Sequence, residues 1–284
     1  MEKQQTVNVL YAGNYKIFDG LLISLLSMVK HTKTPLNVMC LTMDLHELDP
    51  RFIPMNKDHE KYINKVLKDV NKDSSFKIVD ATEVFKENLI NSVNIGSHFT
   101  PYSMLRLLAD KIEGMPEKFI YLDTDTIINN DINQLFDIDV TDYEMAVVKD
   151  AFIIPDPTRW GRKYFNAGVL LVNLTKVKET GMFERAVIMC RDRKMLYMDQ
   201  EALNCVCKKK LMLPVKFNSK DKYYKEIVVH HFCNVRRTWN WFHRIKPWHV
   251  EDVKKKMSAY NDILDDFLAR KAQPDYPKVE QPQQ

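Results

Sequence analysis

The chain lacks a hydrophobic run long enough to cross a membrane. Its longest uncharged apolar stretch, residues 21–29, is interrupted by serines, whereas a membrane-spanning helix needs about 20 apolar residues. The first residues, MEKQQTVNVLYAG, also lack the apolar core of a secretory signal. We therefore expect a cytoplasmic protein, whose only membrane contact would be peripheral, at the inner face.

Cysteine is scarce and scattered along the chain. The five cysteines show neither the paired spacing of a disulfide framework nor the spacing of a zinc site. Free thiols in a reducing compartment are the simplest interpretation. Zinc-finger, RNP and helix-turn-helix signatures are also absent, so a nucleic-acid partner is not expected.

Charge is nearly balanced overall but unevenly placed. The formal net charge is +4, yet residues 207–256 contain 14 Lys and Arg against 4 Asp and Glu. Such a segment favours an anionic partner, such as a phosphorylated ligand or a membrane surface. A solvated basic face would give the same pattern.

Short apolar segments alternate with helical ones. The pattern predicts strands over residues 7–12, 37–42, 77–81, 118–122, 144–149 and 168–174, and helices over 18–30, 60–71 and 101–112. Nearly continuous apolar strands between helices indicate an α/β fold with a mixed, mainly parallel central sheet flanked by helices. Ligands of such sheets bind beyond the carboxyl ends of the strands.

The domain organisation follows from the same pattern. We predict one main domain over residues 1–249, to which the motifs below assign the catalytic function, and a basic amphipathic helix over 250–272. The remaining residues, 273–284, are rich in proline and glutamine and are predicted to be a disordered tail.

The apolar run at 119–122 ends in two acids, Asp123 and Asp125. Side chains two residues apart in an extended segment point to the same side, so both carboxylates can bind one cation. Two monodentate carboxylates leave room in the shell of Mg²⁺ or Mn²⁺ for substrate phosphates. Acids of an ordinary turn after a strand would also explain the pair.

The same letters, DTDT, allow a second enzyme class. They resemble the Asp-x-Asp-x-Thr loop of haloacid-dehalogenase-like phosphatases, which would make the chain a Mg²⁺-dependent phosphohydrolase. That loop normally follows the first strand of its domain, whereas several strand–helix units precede it here. An EF-hand is excluded, because the loop lacks its glycine and a well-placed glutamate.

Several further motifs surround the acidic pair. In chain order they are VLYAGNY (9–15), HFTPYSMLR (98–106), YFNAGVLLVNL (164–174), MDQEALN (198–204), HFC (231–233) and KPWH (246–249). Together with YLDTDT they resemble glycosyltransferase family 8, which includes bacterial lipopolysaccharide galactosyl- and glucosyltransferases and glycogenin. The resemblance implies a single GT-A type domain with a Rossmann-like nucleotide-binding half.

The resemblance also implies an activity. The enzyme would transfer glucose or galactose from UDP-glucose or UDP-galactose to a saccharide, a lipid-linked glycan or a glycoprotein. It would retain the anomeric configuration and require Mn²⁺, with Mg²⁺ as the alternative ion. A sugar-binding module without turnover is the alternative outside enzymes.

Site residues are carried over from the same motifs. Asp123, Asp125 and His231 would bind the metal, since His230 would point the other way in a strand. Lys246 and His98 would meet the diphosphate. The other residues implied to contact the UDP-sugar are Ala12, Asn14, Arg106, Thr124, Asn166 and Ala167.

Three residues are implied to act in catalysis: Gln200, Asp199 and Asp150. UDP leaves as a diphosphate, so a metal and cationic side chains can neutralise its charge without a proton. Gln200 would lie below the anomeric carbon, and its amide is a poor nucleophile, which favours attack from the face of departure. Asp199 would hold sugar hydroxyls. Asp150 would lie near the donor sugar or acceptor, unless it is an ordinary aspartate at a strand end.

The sequence departs from the family pattern between HFC and KPWH. There it carries the additional segment NVRRTWNWFHRI, residues 234–245. Its aromatic and arginine side chains fit an acceptor-binding loop or, equally, an amphipathic hairpin that packs on the core. The basic helix at 250–272 likewise either packs on the domain or contacts a membrane.

Overall fold

The computed structural model describes residues 5–97, 99–150, 163–220, 223–233 and 245–278, and the backbone alone of 235–237 and 240–242. The strands are β1 (Val7–Ala12), β2 (Leu36–Thr42), β3 (Ser75–Asp80), β4 (Lys118–Leu122), β5 (Thr126–Ile128), β6 (Met145–Lys149), β7 (Phe165–Asn173), β8 (Lys210–Leu213), β9 (Val229–His231), β10 (Val235–Arg237) and β11 (Asn240–Phe242).

The α-helices are α1 (Phe18–His31), α2 (Lys57–Val70), α3 (Thr82–Leu89), α4 (Asn133–Phe136), α5 (Leu174–Thr180), α6 (Met182–Asp192), α7 (Met198–Val206), α8 (Val250–Lys256) and α9 (Asn261–Lys271). Short or tighter 3₁₀ helices cover Tyr15–Ile17, Pro101–Lys111, Val215–Phe217 and Ser258–Tyr260.

Among the described residues, seven strands form one sheet in the order β3-β2-β1-β4-β7-β6-β8. Neighbouring strands are parallel except at β7, which runs antiparallel to both β4 and β6. This confirms the predicted α/β fold with a mixed, mainly parallel sheet. The hydrophobic pattern could not show the direction of β7, because apolar periodicity is the same in either direction.

The sheet is covered on both faces, and alternation along β1 shows how. Val7, Val9 and Tyr11 face a core that includes α1, α2 and α9. Leu10 faces the opposite core, which includes α3, α6 and α7. Each central strand is therefore apolar on both sides, as the near-continuous hydrophobic runs predicted.

Two predicted elements differ in ways that affect the site. The strand predicted over 168–174 begins at Phe165 instead, which brings Asn166 and Ala167 into the sheet. The helix predicted over 101–112 is a 3₁₀ helix over Pro101–Lys111 with proline at its first turn. The first residues of both elements lie at the same edge of the sheet as the acidic pair.

The segment predicted as one helix over 250–272 is two helices, α8 and α9. Met257 leaves the helical conformation, with φ −143° and ψ 70°, and the chain turns. The turn lets Tyr260 enter the core, where its hydroxyl lies 2.5 Å from His230 Nδ1. The free energy gained by burying this aromatic ring therefore outweighs the hydrogen bonds that a continuous helix would add.

The basic residues of this segment are largely paired. Lys254 contacts Asp265, Arg270 contacts Asp266 and Lys271 contacts Asp19. The first two pairs lie within the segment and the third reaches α1. Packing against the domain is shown by Ile263, Leu264 and Phe267, which are buried in the core. No helix in the described part of the chain has the length and apolar character needed to cross a membrane.

The tail predicted to be disordered from residue 273 continues to pack over its first residues. The ring of Tyr276 lies edge-on to Phe18 and Tyr62, and its hydroxyl donates to Asp19 Oδ1 at 2.6 Å. An aromatic residue near an apolar groove thus overrides the polar composition around it. Residues 279–284 lie outside the described residues.

The additional segment after HFC contains a β-hairpin. β10 and β11 pair in antiparallel fashion, with Arg236 opposite Trp241. The side chains of residues 234–244 lie outside the described residues, so acceptor binding by this segment stays a prediction.

One buried histidine gives the stability a pH dependence. His59, in the first turn of α2, is 2% exposed, and its Nε2 has no hydrogen-bond partner among the described residues. Burial lowers its pKa below the ordinary 6.5, although Asp58 opposes the change. The unfolded chain therefore binds the proton first, and stability is lost as the pH falls below 6.5.

We expect His59→Gln to reduce this dependence. Urea unfolding from neutral pH to about pH 5.5 should show a smaller decline in the free energy of unfolding than the wild type does. His46→Gln, at an exposed histidine, is the matched control. An unchanged decline in His59→Gln would contradict the assignment.

Candidate functional site

The acidic pair lies at the carboxyl end of β4, held in place by β7. The Asp123 N–H donates to the Gly168 carbonyl at 2.8 Å, which continues the β4–β7 ladder by one residue. The Tyr121 hydroxyl donates to Asp123 Oδ1 at 2.9 Å, and Arg106 donates to the same oxygen at 3.0 Å. Asp123 Oδ2 is left facing His231.

The third residue of the cluster comes from β9. β5 and β9 pair in antiparallel fashion, with Thr126 opposite His231, and the Phe232 N–H donates to the Asp125 carbonyl at 2.8 Å. His231 Nε2 therefore lies 3.1 Å from Asp125 Oδ1 and 3.7 Å from Asp123 Oδ2. One ligand atom from each of the three residues lies within 4.8 Å of the others.

Two observations show that this cluster fits a metal ion. His231 Nε2 is buried and lies 3.1 Å from Asp125 Oδ1 without a well-aligned hydrogen bond to it among the described residues, so an ion between the two atoms would satisfy both. Gly168 leaves the necessary space, because a Cβ there would lie 2.1 Å from His231 Cε1 and 2.6 Å from Asp123 Oδ2. Two carboxylates and an imidazole are suitable ligands for Mn²⁺, although most other first-row divalent ions could bind the same three groups.

The electrostatics of Asp125 fit the same interpretation. Burial alone would raise the pKa of this carboxyl, but His231 and Lys246 hold it well below its usual range. Lys246 Nζ lies 2.5 Å from Asp125 Oδ2 and donates to the Phe232 carbonyl at 3.0 Å. Asp125 is therefore ionised. One of its carboxylate oxygens faces the imidazole of His231 and the other faces the ammonium of Lys246.

Arg106 is buried in contacts with the protein itself. It donates to the carbonyls of Ser103 and Ala167 and pairs with Asp123 and, at 3.1 Å, with Asp199. Its guanidinium stacks 4.1 Å above the Tyr121 ring. Burial opposes the charge, but these acids and Tyr121 keep the pKa of Arg106 above its ordinary value. The side chain thus orients two acids of the site.

Asp199 lies in the first turn of α7 and is also buried. Burial raises the pKa of its carboxyl, Arg106 opposes this, and Asp123 adds to it. Arg106 therefore separates two acids that would otherwise repel each other.

Amide side chains connect the middle of the site. Asn166 Nδ2 donates to Gln200 Oε1 at 2.9 Å, and Gln200 Nε2 lies 3.4 Å from Asp150 Oδ2. Asp150 Oδ1 pairs with Lys220 at 2.9 Å, and both side chains are 6% exposed. The structure thus brings together Asn166, Gln200 and Asp150, which were predicted to hold the sugar or to act in catalysis.

The predicted site residues line one cavity of about 680 Å³. Those in its wall are Ala12, Asn14, Arg106, Asp123, Thr124, Asp125, Asp150, Asn166, Ala167, Asp199, Gln200, His231 and Lys246. His98 lies outside the described residues. Gly20 of α1 permits the wall to close, because a Cβ there would lie 2.7 Å from the Thr124 carbonyl and 2.7 Å from the Trp248 ring.

Asn14 has a structural function in addition to its place in the wall. Its Oδ1 accepts from the Lys16 N–H and its Nδ2 donates to the Arg51 carbonyl. Both ends of the amide are thereby used to hold the first loop, and a uridine contact would have to share them.

Several residues of the site were missed from the sequence. They are Gly168, Tyr121, Asn218, Lys220, Cys233 and Trp248. Gly168 and Trp248 lie inside quoted motifs, so their closeness to the acids could have been noticed. Asn218 and Lys220 precede β9 in a segment without a hydrophobic pattern or a motif. Their place in the site becomes visible only because Ser219, between them, pairs with β9.

Fold and site together define a class of protein. An active-site mutant of LgtC has the same fold, with a TM-score of 0.66 at 16% identity over 93% of this chain and 95% of that chain. The galactosyltransferase LgtC in complex with donor and acceptor sugar analogues gives 0.64 at 17% identity, over 92% and 96%. The protein has the GT-A fold of glycosyltransferases, as predicted.

The chain belongs to glycosyl transferase family 8, which it matches over residues 8–266. A Haemophilus influenzae protein provisionally described as a glycosyltransferase is 28% identical over 258 residues, 83% of this chain and 74% of that protein. The lipopolysaccharide 1,2-glucosyltransferase of Escherichia coli K12 is 28% identical over 183 residues, 56% of this chain and 53% of that enzyme.

A further relative is the lipopolysaccharide 1,3-galactosyltransferase of Salmonella typhimurium. It is 24% identical over 164 residues, 50% of this chain and 48% of that enzyme. The match thus spans about half the length of each of the two lipopolysaccharide enzymes. The family prediction is confirmed, and the phosphohydrolase alternative is not supported.

Proposed function

We propose that this protein is a retaining hexosyltransferase that transfers glucose or galactose from a UDP-sugar to a glycan or glycoconjugate, with Mn²⁺ bound by Asp123, Asp125 and His231. The observation that carries the proposal is the orphaned, buried Nε2 of His231 beside two carboxylates, at the wall of a cavity of about 680 Å³. Relatives named as lipopolysaccharide glucosyl- and galactosyltransferases support the choice of sugars.

The site supplies two means of assisting departure of the diphosphate. A divalent ion, when bound, supplies Lewis-acid neutralisation of the charge that develops on the leaving oxygens. Lys246 adds a cation from the KPWH motif, and it would exchange its contact with Asp125 for one with a phosphate. Neither means requires a proton, unlike the acid of a glycosidase.

The sugar would lie over Asn166, Asp199 and Gln200. The Gln200 carbonyl oxygen already accepts from Asn166 and from the Ala167 N–H, which further weakens it as a nucleophile. The arrangement therefore favours attack by the acceptor from the face of departure, with Gln200 giving electrostatic support. A covalent sugar adduct trapped on Gln200 or Asp199 would contradict this mechanism.

The proposal is tested by a panel of UDP-sugars with Mn²⁺. We expect slow release of UDP by hydrolysis from UDP-glucose or UDP-galactose without an acceptor, and much slower release when Mn²⁺ is removed by a chelator. Asp142→Asn, at an exposed acid of a loop, is the control variant and should release UDP at the wild-type rate. Absence of UDP binding and of hydrolysis across the panel would overturn the proposal.

A further inference from the structure

A chain of side-chain hydrogen bonds crosses the site from His231 to Asp150. His231 Nδ1 lies 3.0 Å from Asn218 Oδ1, and Asn218 Nδ2 lies 3.0 Å from Asn166 Oδ1. The chain continues from Asn166 to Gln200 at 2.9 Å and from Gln200 to Asp150 at 3.4 Å. It joins the proposed metal site to the residues placed around the sugar.

Backbone groups of β7 fix the direction of every link. The Gly168 N–H, which can only donate, donates to Asn166 Oδ1 at 3.0 Å. The atom of Asn218 that faces this oxygen must therefore be its amide nitrogen. The Ala167 N–H donates to Gln200 Oε1 at 3.0 Å, so the Gln200 amide nitrogen must face Asp150.

The tautomer of His231 follows from these directions. Since the Asn218 nitrogen faces Asn166, its oxygen faces His231 Nδ1, and this ring nitrogen must carry a proton in order to donate. The neutral ring then has its lone pair on Nε2, the atom that lies 3.1 Å from Asp125 Oδ1 and makes no well-aligned hydrogen bond among the described residues. A cation between these two atoms would satisfy both. A backbone N–H two links away thus determines which ring nitrogen can bind a metal.

We propose that Asn218 is a positioning residue that holds His231 in the Nδ1–H tautomer and so presents Nε2 to the metal. The inference rests on the metal site of the proposed function and deepens it. Ligating histidines generally donate their second ring nitrogen to a fixed acceptor, which sets ring orientation and raises ligand basicity. Here the acceptor is an amide that also orients the residues proposed to hold the sugar.

The local fold leaves Asn218 little freedom to turn. It is 2% exposed and follows the 3₁₀ helix Val215–Phe217. The next residue, Ser219, exchanges backbone bonds with β9: its N–H donates to the Val229 carbonyl at 2.9 Å, and its carbonyl accepts from the His231 N–H at 2.8 Å. Asn218 and His231 are therefore held side by side by backbone pairing.

Lys220 closes the far end of the chain. It pairs with Asp150, which accepts the last hydrogen bond of the series. Asn218 and Lys220 thus connect a single short segment to both ends of the site. We expect a change at Asn218 to affect metal binding first, because it contacts His231 directly.

The first experiment reads the tautomer in metal-free protein. Ring ¹⁵N chemical shifts of His231 at alkaline pH should show Nδ1 protonated and Nε2 unprotonated in the wild type. Asn218→Leu, of similar size but without an acceptor, should shift the population toward the Nε2–H form. A wild-type ring protonated on Nε2 would overturn the proposal.

The second experiment measures Mn²⁺ affinity in the presence of UDP, by electron paramagnetic resonance of the free ion. Asn218→Leu should weaken binding about 10–100-fold. Asn218→Asp, which keeps an acceptor for Nδ1–H but loses the donor to Asn166 Oδ1, should weaken it less. Asn64→Leu is the matched control, since Asn64 bonds the Phe76 backbone far from the site. Wild-type affinity in a folded Asn218→Leu variant would refute the positioning role.

The two measurements separate this inference from the proposed function. If the wild type binds no Mn²⁺ with UDP, the proposed function fails, while the tautomer still decides whether Asn218 orients the ring. Thermal unfolding of both Asn218 variants will show whether either has lost its fold. If neither variant folds, the ¹⁵N shifts of the wild-type protein alone decide whether His231 has the expected tautomer.

Discussion

Gly168→Ala is expected to lose metal binding and, with it, nearly all activity. The new Cβ would lie 2.1 Å from His231 Cε1 and 2.6 Å from Asp123 Oδ2. Both distances are shorter than van der Waals contact, so the methyl group must displace one of these two proposed metal ligands. The Gly168 backbone is held at both of its polar groups, because its carbonyl accepts from the Asp123 N–H at 2.8 Å and its N–H donates to Asn166 Oδ1 at 3.0 Å. The histidine, rather than the strand, should therefore move.

When the groups around a reacting centre are displaced by about 1 Å, the rate falls about 100-fold, so the loss in kcat/KM should be at least of this order. Mn²⁺ affinity in the presence of UDP is the direct readout. Gly114→Ala is the control, because its φ of 75° makes alanine unfavourable while nothing lies within 4 Å of the new Cβ. That variant should lose about 1 kcal/mol of stability and keep its activity. A metal-binding, active Gly168→Ala would contradict the site.

Asp125→Asn is expected to have the second large effect. Asp125 faces both His231 and Lys246, and replacing its carboxylate by an amide removes the negative charge that holds these groups and the ion together. The loss in kcat/KM should be on the order of 100–1,000-fold, the size of a single electrostatic contribution to a transition state.

The Asp125→Asn variant should also lose the dependence of UDP binding on Mn²⁺, measured by calorimetry with and without a chelator. Asp142→Asn, an exposed loop acid, should retain both activity and metal dependence. Retained, metal-stimulated activity in Asp125→Asn would show that the ion, if any, binds elsewhere.

Much of the sheet could be predicted from the sequence, because its strands are short, apolar and separated by turns. β1 and β4 have the predicted bounds, since each ends in four consecutive apolar residues, 9–12 and 119–122, that polar or glycine residues follow. β7 was placed three residues late, because Asn166 interrupts its apolar pattern. The same residue hydrogen-bonds Gln200 and Asn218, so the polar contacts of the candidate site obscured the strand that carries them.

The contacts that complete the site could not be predicted from periodicity. β9 is a three-residue strand, and its pairing with β5 depends on which segments the fold brings together. The acids and His231 were related through a family resemblance, and the cation-sized space that their three ligand atoms share appears only in three dimensions. Lys220 and Asn218 carried no signal at all, because a lysine or asparagine after an irregular segment is ordinary in any loop.

The β5–β9 pairing has a consequence for biosynthesis. β4 and β5 leave the ribosome long before β9, and the sheet order places most parallel strands in the first half of the chain. A nascent chain can therefore form the β1–β4 core while its acidic pair still lacks the histidine. The proposed ion could add to stability only after residue 231 has emerged, and Tyr260 and Tyr276 must follow to cover β9 and α1.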